Sequence, residues 1–249
     1  MKLRRVVLDR RGGLMRIITL AITVALCTPG LASAQEFEEY VNTRDGFKID
    51  FPGKPTVTES TFKTQQNYEL PSRTYSVEKG KEHYAVTVVD YNGIEQMAIA
   101  RVKTCVSGAR ALCVGTDVSG PGVWKHDVRE AVLFATLKLL QRDNTKVSDL
   151  TWSQHDLVEG NELQLTNTTD GSRTYAYIAL HEMKLFIVEA TVPKNAPPAT
   201  LFQTSMGWVD KNGKGIRYRN MYIGASHSMR EFPVPAAGGG APATAAAER

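Results

Sequence analysis

Cysteine is scarce in this chain, three in 249 residues, and none of them forms a C-x-x-C pair. That spacing is the usual mark of a thiol redox centre, so thioredoxin-type chemistry is excluded as a first reading. Histidine is also sparse. The five residues His83, His126, His155, His181 and His227 stand far apart, and none makes the helical ligand pair of a metalloprotease. No G-x-S-x-G elbow occurs, and neither Gly120-Pro121-Gly122 nor Gly238-Gly239-Gly240 has the spacing of a phosphate loop. An EF-hand pattern is missing, so Asp149, Asp156 and Glu159 would hold calcium only if a loop converged them. These gaps leave no catalytic, cofactor-binding or metal-binding residue to nominate. No apolar run reaches the roughly 20 residues that span a bilayer.

What is present begins with a leader. Lys2, Arg4, Arg5, Arg10, Arg11 and Arg16 precede the apolar run from Ile17 to Leu26; Pro29-Gly30 and then Ala32-Ser33-Ala34 follow. This is the order of a secretory signal peptide, with cleavage expected between Ala34 and Gln35 and the mature chain periplasmic or secreted. Met15 is an alternative start, Arg10-Arg11 leaves twin-arginine export open, and an uncleaved membrane anchor is a further alternative. Leu26 before Cys27 is too large for the usual lipobox. The leader also accounts for the charge: the whole chain is formally +4, but residues 1–34 carry six Lys/Arg and one Asp, leaving about −1 beyond them. The basic residues that remain are scattered, so nucleic acid is not an expected partner.

Within the mature region Cys105 and Cys113 enclose a short loop containing Gly108. In an oxidising compartment a disulfide is expected there, with two separate buried thiols as the alternative. Residues 35–230 suit one globular domain. From 231 to 249 the chain is largely Pro, Gly and Ala, which cannot offset its own ordering entropy, so a disordered tail is expected.

Phe47, Ile49 and Phe51 alternate with Lys48 and Asp50 and then meet Pro52-Gly53, the pattern of a half-buried strand. Further strands are expected over Thr56–Thr64, Arg73–Val77, His83–Tyr91, Glu162–Thr168, Arg173–Leu180, Leu185–Val192 and Gly215–Ile223. Asn92 with Glu95 predicts one helix start, and Asp127 with Glu130 another. The second helix, Val128 to Arg142, is apolar around more than one stripe, so it should be buried on two sides or pack into an oligomer. A third helix is expected after Pro197-Pro198. Hairpins interspersed with helices give an α+β class, an antiparallel sheet with packed helices.

The opening Phe47-x-x-x-Phe51-Pro52-Gly53-x-Pro55, the hairpin after it and the late Phe202-x-x-Ser205 helix resemble a large group of exported bacterial proteins with PsbP-like domains. The likeness covers roughly residues 40–225 and departs at the cysteine loop and the long apolar helix. It implies an α/β/α sandwich and a non-catalytic role assisting a larger assembly.

Three functions follow as expectations. The first is an exported, non-catalytic envelope protein binding a partner or small ligand through its sheet or a groove beside the apolar helix. The second is a periplasmic hydrolase whose site assembles only in the fold, marked by His126 or His155 beside a carboxylate and a nucleophile. The third is a structural or stress-related oligomer joined through residues 128–140. Histidines are expected on the surface, and Trp124, Trp152 and Trp208 in core or sheet–helix contacts. Tyr218 and Tyr222 fall on one strand face, as cross-strand packing or as an exposed aromatic row.

Overall fold

The structure, a computed structural model, describes residues 37–104 and 123–224. The expected cleavage site Ala34/Gln35, the Cys105/Cys113 pair, Gly120-Pro121-Gly122, His227 and the 231–249 tail lie outside those residues. Ten strands and three helices occur among the described residues: β1 (Glu38–Asn42), β2 (Phe47–Phe51), β3 (Thr56–Lys63), β4 (Glu69–Lys79), β5 (Glu82–Asp90), α1 (Ile94–Thr104), α2 (Val123–Leu140), β6 (Thr145–His155), β7 (Val158–Asn167), β8 (Arg173–His181), β9 (Lys184–Val192), α3 (Thr200–Thr204) and β10 (Gly207–Trp208). The α+β class holds. Strands β3-β4-β5-β9-β8-β7-β6 form one antiparallel sheet, and β1-β2-β10 a smaller one.

Strand β9 lies at the centre of the large sheet, and its sequence explains why. Phe186, Val188, Ala190 and Val192 face one core, while Leu185 and Ile187 face another. Neighbouring β8 divides the same way, with Tyr175, Tyr177 and Ala179 on one side and Ala176, Ile178 and Leu180 on the other. A strand apolar on both faces must be covered twice. The first core is closed by Phe47, Ile49 and Phe51 of the small sheet with Phe202 of α3 and Trp208 of β10. The second is closed by Ile94 and Ala98 of α1 and by Val128, Ala131, Ala135 and Leu139 of α2.

Several expectations need correction. No strand is expected before Phe47, yet Glu38–Asn42 forms β1, paired along β2 with Glu38 and Glu39 exposed. Helix α2 starts at Val123, so Asp127 is not its cap. Instead Asp127 is buried and accepts from Thr64 Oγ1 at 2.5 Å and the Gln66 amide at 3.0 Å, holding the β3–β4 connection against the helix. Burial raises its carboxyl above the ordinary range, and those two hydrogen bonds oppose the rise only in part. Asn92 donates to Asp90 rather than capping α1. Helix α2 is buried along one stripe, leaving Leu133 and Leu137 exposed. Residues 215–223 form no strand, touching the body through isolated bridges at Gly215 and Tyr222.

One glycine is required by contact. A Cβ on Gly160 of β7 would sit 2.4 Å from the Ile178 carbonyl and 2.6 Å from Tyr177 Cε2. Neither can yield without moving β8. Gly160→Ala should therefore lower stability by about 1–3 kcal/mol, read as a fall in the urea midpoint at unchanged slope.

Candidate functional site

The β6–β7 hairpin turns on Asp156 and Leu157, both at positive φ (48° and 65°), and this tight reversal brings distant sequence together. On the face turned towards the small sheet, Ser153 Oγ donates to Glu162 Oε1 at 2.8 Å. His155 Nε2 meets the same oxygen at 3.0 Å. The imidazole is buried and lies over Tyr177, with centroids 3.9 Å apart and planes at 34°. Burial raises the Tyr177 phenol well above its ordinary range, and Tyr177 Oη donates to the Val158 carbonyl at 2.7 Å. Trp208 Nε1 donates to the His155 carbonyl at 2.9 Å, fixing the hairpin end to β10.

Ser153 to Asp156 and Glu162 form one wall of a cleft of about 480 Å³ whose other wall is Lys48 and Thr204 to Gly207. Gly207 keeps it open, since a Cβ there would come within 3.2 Å of both Asp156 Oδ2 and Lys48 Cε. Ser205 Oγ is committed elsewhere, donating to the Phe202 carbonyl at 2.8 Å and accepting from the Asp50 amide at 3.0 Å. The cleft thus contains the histidine, carboxylate and hydroxyl that a hydrolase would need. Their order differs from a nucleophilic triad, in which histidine stands between hydroxyl and carboxylate. Here the carboxylate stands between Ser153 and His155.

Two further buried polar networks contribute no side chain to the cleft lining. Asp45, in the β1–β2 connection, accepts from both Nε and Nη2 of Arg73 and from Tyr75 Oη at 2.6 Å; Lys184 Nζ lies 3.5 Å away. Burial pushes the Asp45 carboxyl up, but the hydrogen bonds from Arg73 and Tyr75 and the charges of Arg73 and Lys184 outweigh it and hold it below the ordinary range. Burial, reinforced by Asp45, pushes the Tyr75 phenol up to about 12. His181 is packed against Trp208 at 4.4 Å and Tyr222 at 5.0 Å and bonds Tyr218 Oη at 2.5 Å. Burial lowers its imidazole to about 3, with a smaller push from Lys184.

On the opposite face a groove of about 170 Å³ runs beside α2, lined by Val128, Arg129, Val132, Trp152, Asn161 and Leu180 among others. Asn161 Nδ2 donates to Thr136 Oγ1 of α2 at 3.1 Å, fixing helix to strand.

The histidines divide against expectation. His155 and His181 are buried, whereas His83 is exposed on Glu78 at 2.6 Å and His126 is exposed on α2. Glu162 and Ser153 were not singled out in the sequence. Trp208 is core and Trp124 half-buried, but Trp152 is exposed, contrary to its expected place. Tyr218 and Tyr222 stack on each other at 5.1 Å around His181, so they are packing groups rather than an exposed row. Asp149, Asp156 and Glu159 do not converge, and no cluster of three metal-ligating side chains occurs among the described residues.

His181 and Asp45 set the sign of the acid response. An unfolded histidine titrates near 6.5 and the folded one near 3, so the unfolded chain binds the extra proton between these values. Stability is complete above about pH 6.5 and falls as pH drops towards 3, by at most about 1.4 kcal/mol per unit for this group. Asp45 adds a loss below about pH 4, since its folded value lies under its unfolded one. Asp127 contributes with the opposite sign. Urea unfolding from pH 7 to 4 should show a falling midpoint, and His181→Gln should flatten the decline.

No protein-family model and no curated protein matches the chain. Among solved structures, the solution structure of cyanobacterial PsbP (CyanoP) from Synechocystis sp. PCC 6803 is similar over 69% of this chain and 88% of that one, at 12% identity and a TM-score of 0.35. No helix among the described residues is long and apolar enough to cross a membrane.

Proposed function

We propose that this chain is an exported, non-catalytic envelope protein that holds a small polar ligand in the cleft between the β6–β7 hairpin and the small sheet. Export rests on the basic leader, the apolar run and Ala32-Ser33-Ala34. The PsbP-like α/β/α sandwich remains our reading of the layers, on the strength of the Phe47–Pro55 opening.

The observation that carries the binding reading is the hydrogen-bond order Ser153–Glu162–His155. Glu162 spends its oxygen on accepting from its neighbours, and neither Ser153 nor Ser205 directs a hydroxyl at the imidazole. Such an arrangement presents fixed donors and acceptors to a ligand without activating a nucleophile. The cleft volume of about 480 Å³ lies within the range of about 300–1,000 Å³ usual for small-molecule sites. Lys48, Asp156 and Gln154 at the rim add charged and hydrogen-bonding groups.

A thermal-shift series on the purified protein tests this, using monosaccharides, amino acids, polyamines and short dicarboxylates. At least one class should raise the melting temperature, the gain being about 2.7 kcal/mol at a hundredfold excess over Kd. Glu162→Gln and His155→Ala should abolish that rise while keeping the fold. Silence from every class would count against the reading, as would Ser153-dependent turnover of simple ester or glycoside substrates.

A further inference from the structure

The large sheet ends in two edge strands of opposite character. Strand β3 is exposed and polar, with Thr56, Thr58, Glu59, Ser60 and Thr61 outward and one exposed valine, Val57. Polar and charged residues are the usual protection of an edge. Strand β6 lacks that protection on one face. Its pairings place Val147 opposite Leu165, Leu150 opposite Leu163 and Trp152 opposite Asn161, all on the side covered by α2. Helix α2 does not reach far enough to cover them. Val147, Leu150 and Trp152 remain 43%, 47% and 58% exposed, and Leu133 and Leu137 of α2 remain 56% and 41% exposed. Half of the large exposed apolar side chains among the described residues therefore lie on one helix and the adjacent strand.

We infer that this seam is closed by a second copy of the chain, with β6 pairing antiparallel to β6 of the partner about a two-fold axis at Thr151. Self-pairing restricts the register, because residues equidistant from the axis stand opposite one another. An axis at Asp149 sets two carboxylates face to face, which is destabilising. An axis at Leu150 sets each Trp152 against Ser148, the bulged position. An axis at Trp152 sets the two indoles opposite each other and Leu150 against the polar Gln154. With the axis at Thr151, Leu150 of each copy meets Trp152 of the other, twice, on the α2 face. Asp149 then meets Ser153 on the other face, whose hydroxyl is already donated to Glu162, and no like charges are opposed.

The size fits as well. Eleven residues run about 35 Å along the edge. With the flanking leucines of α2, the seam offers on the order of 600 Å² per copy, the lower end of a standard stable interface. The outward N–H and C=O groups of β6 are satisfied by the same act. Apolar contact and strand pairing thus close one defect together. The apolar seam lies on the face opposite the ligand cleft, while Ser153 at the paired edge also lines that cleft.

Light scattering after size exclusion, on the full chain under reducing conditions, tests the inference. A dimer is expected at high micromolar concentration, dissociating on dilution. Trp152→Lys and Leu150→Asp should each leave a folded monomer, since both side chains are already exposed. Thr151→Cys should form a covalent dimer on mild oxidation, while Thr58→Cys on the opposite edge should not. A monomer at all concentrations overturns the inference, as does a dimer that persists in both Trp152→Lys and Leu150→Asp.

Discussion

A sheet whose central strands are apolar on both faces has to be covered twice, and most of this molecule follows from that demand. β8 and β9 present aromatic and branched side chains alternately up and down. On one side α1 and α2 cover them; on the other, the small sheet with α3 does. The second cover is short, so it is also tied electrostatically. Asp45 reaches from the β1–β2 connection to Arg73 and Tyr75 of β4 and towards Lys184 of β9. Removing one partner would strand a buried charge, typically at about 3–5 kcal/mol. That anchorage fixes the β1–β2 connection of the small sheet against β4 and β9.

The sequence announced those parts whose hydrophobic period is unbroken. Phe47–Phe51 alternates cleanly, and the strand matches it residue for residue. β9 carries large apolar groups on consecutive positions, the mark of a strand buried on both faces, and it is central. The β7–β8 connection passes through Asp170-Gly171, with Gly171 at φ 73°.

Other parts were hidden for physical reasons. β6 escapes a period-two reading because a register shift between Val147 and Asp149 puts its apolar residues at spacings of three and then two. Its turn, Asp156-Leu157, has no glycine to betray it, although both residues adopt positive φ. Without that hairpin His155 appears beside Asp156, while its actual partner Glu162 comes from the next strand. Tyr218 and Tyr222 fall on one face of the strand expected over 215–223, but those rings are placed by their packing on His181. Exposure of Leu133 and Leu137 was likewise illegible, because an apolar helix states how much surface needs covering and not which element covers it.

The large sheet is complete in its interior and unfinished at β6, where a polar cleft occupies one face and an uncovered apolar seam the other. Amide hydrogen exchange, compared at low and high micromolar protein concentration, tests that division most directly. The account predicts strong protection in β8 and β9 at both concentrations, with protection of the outward amides of β6 appearing only at the higher one. Equal, rapid exchange of those β6 amides at both concentrations would contradict it.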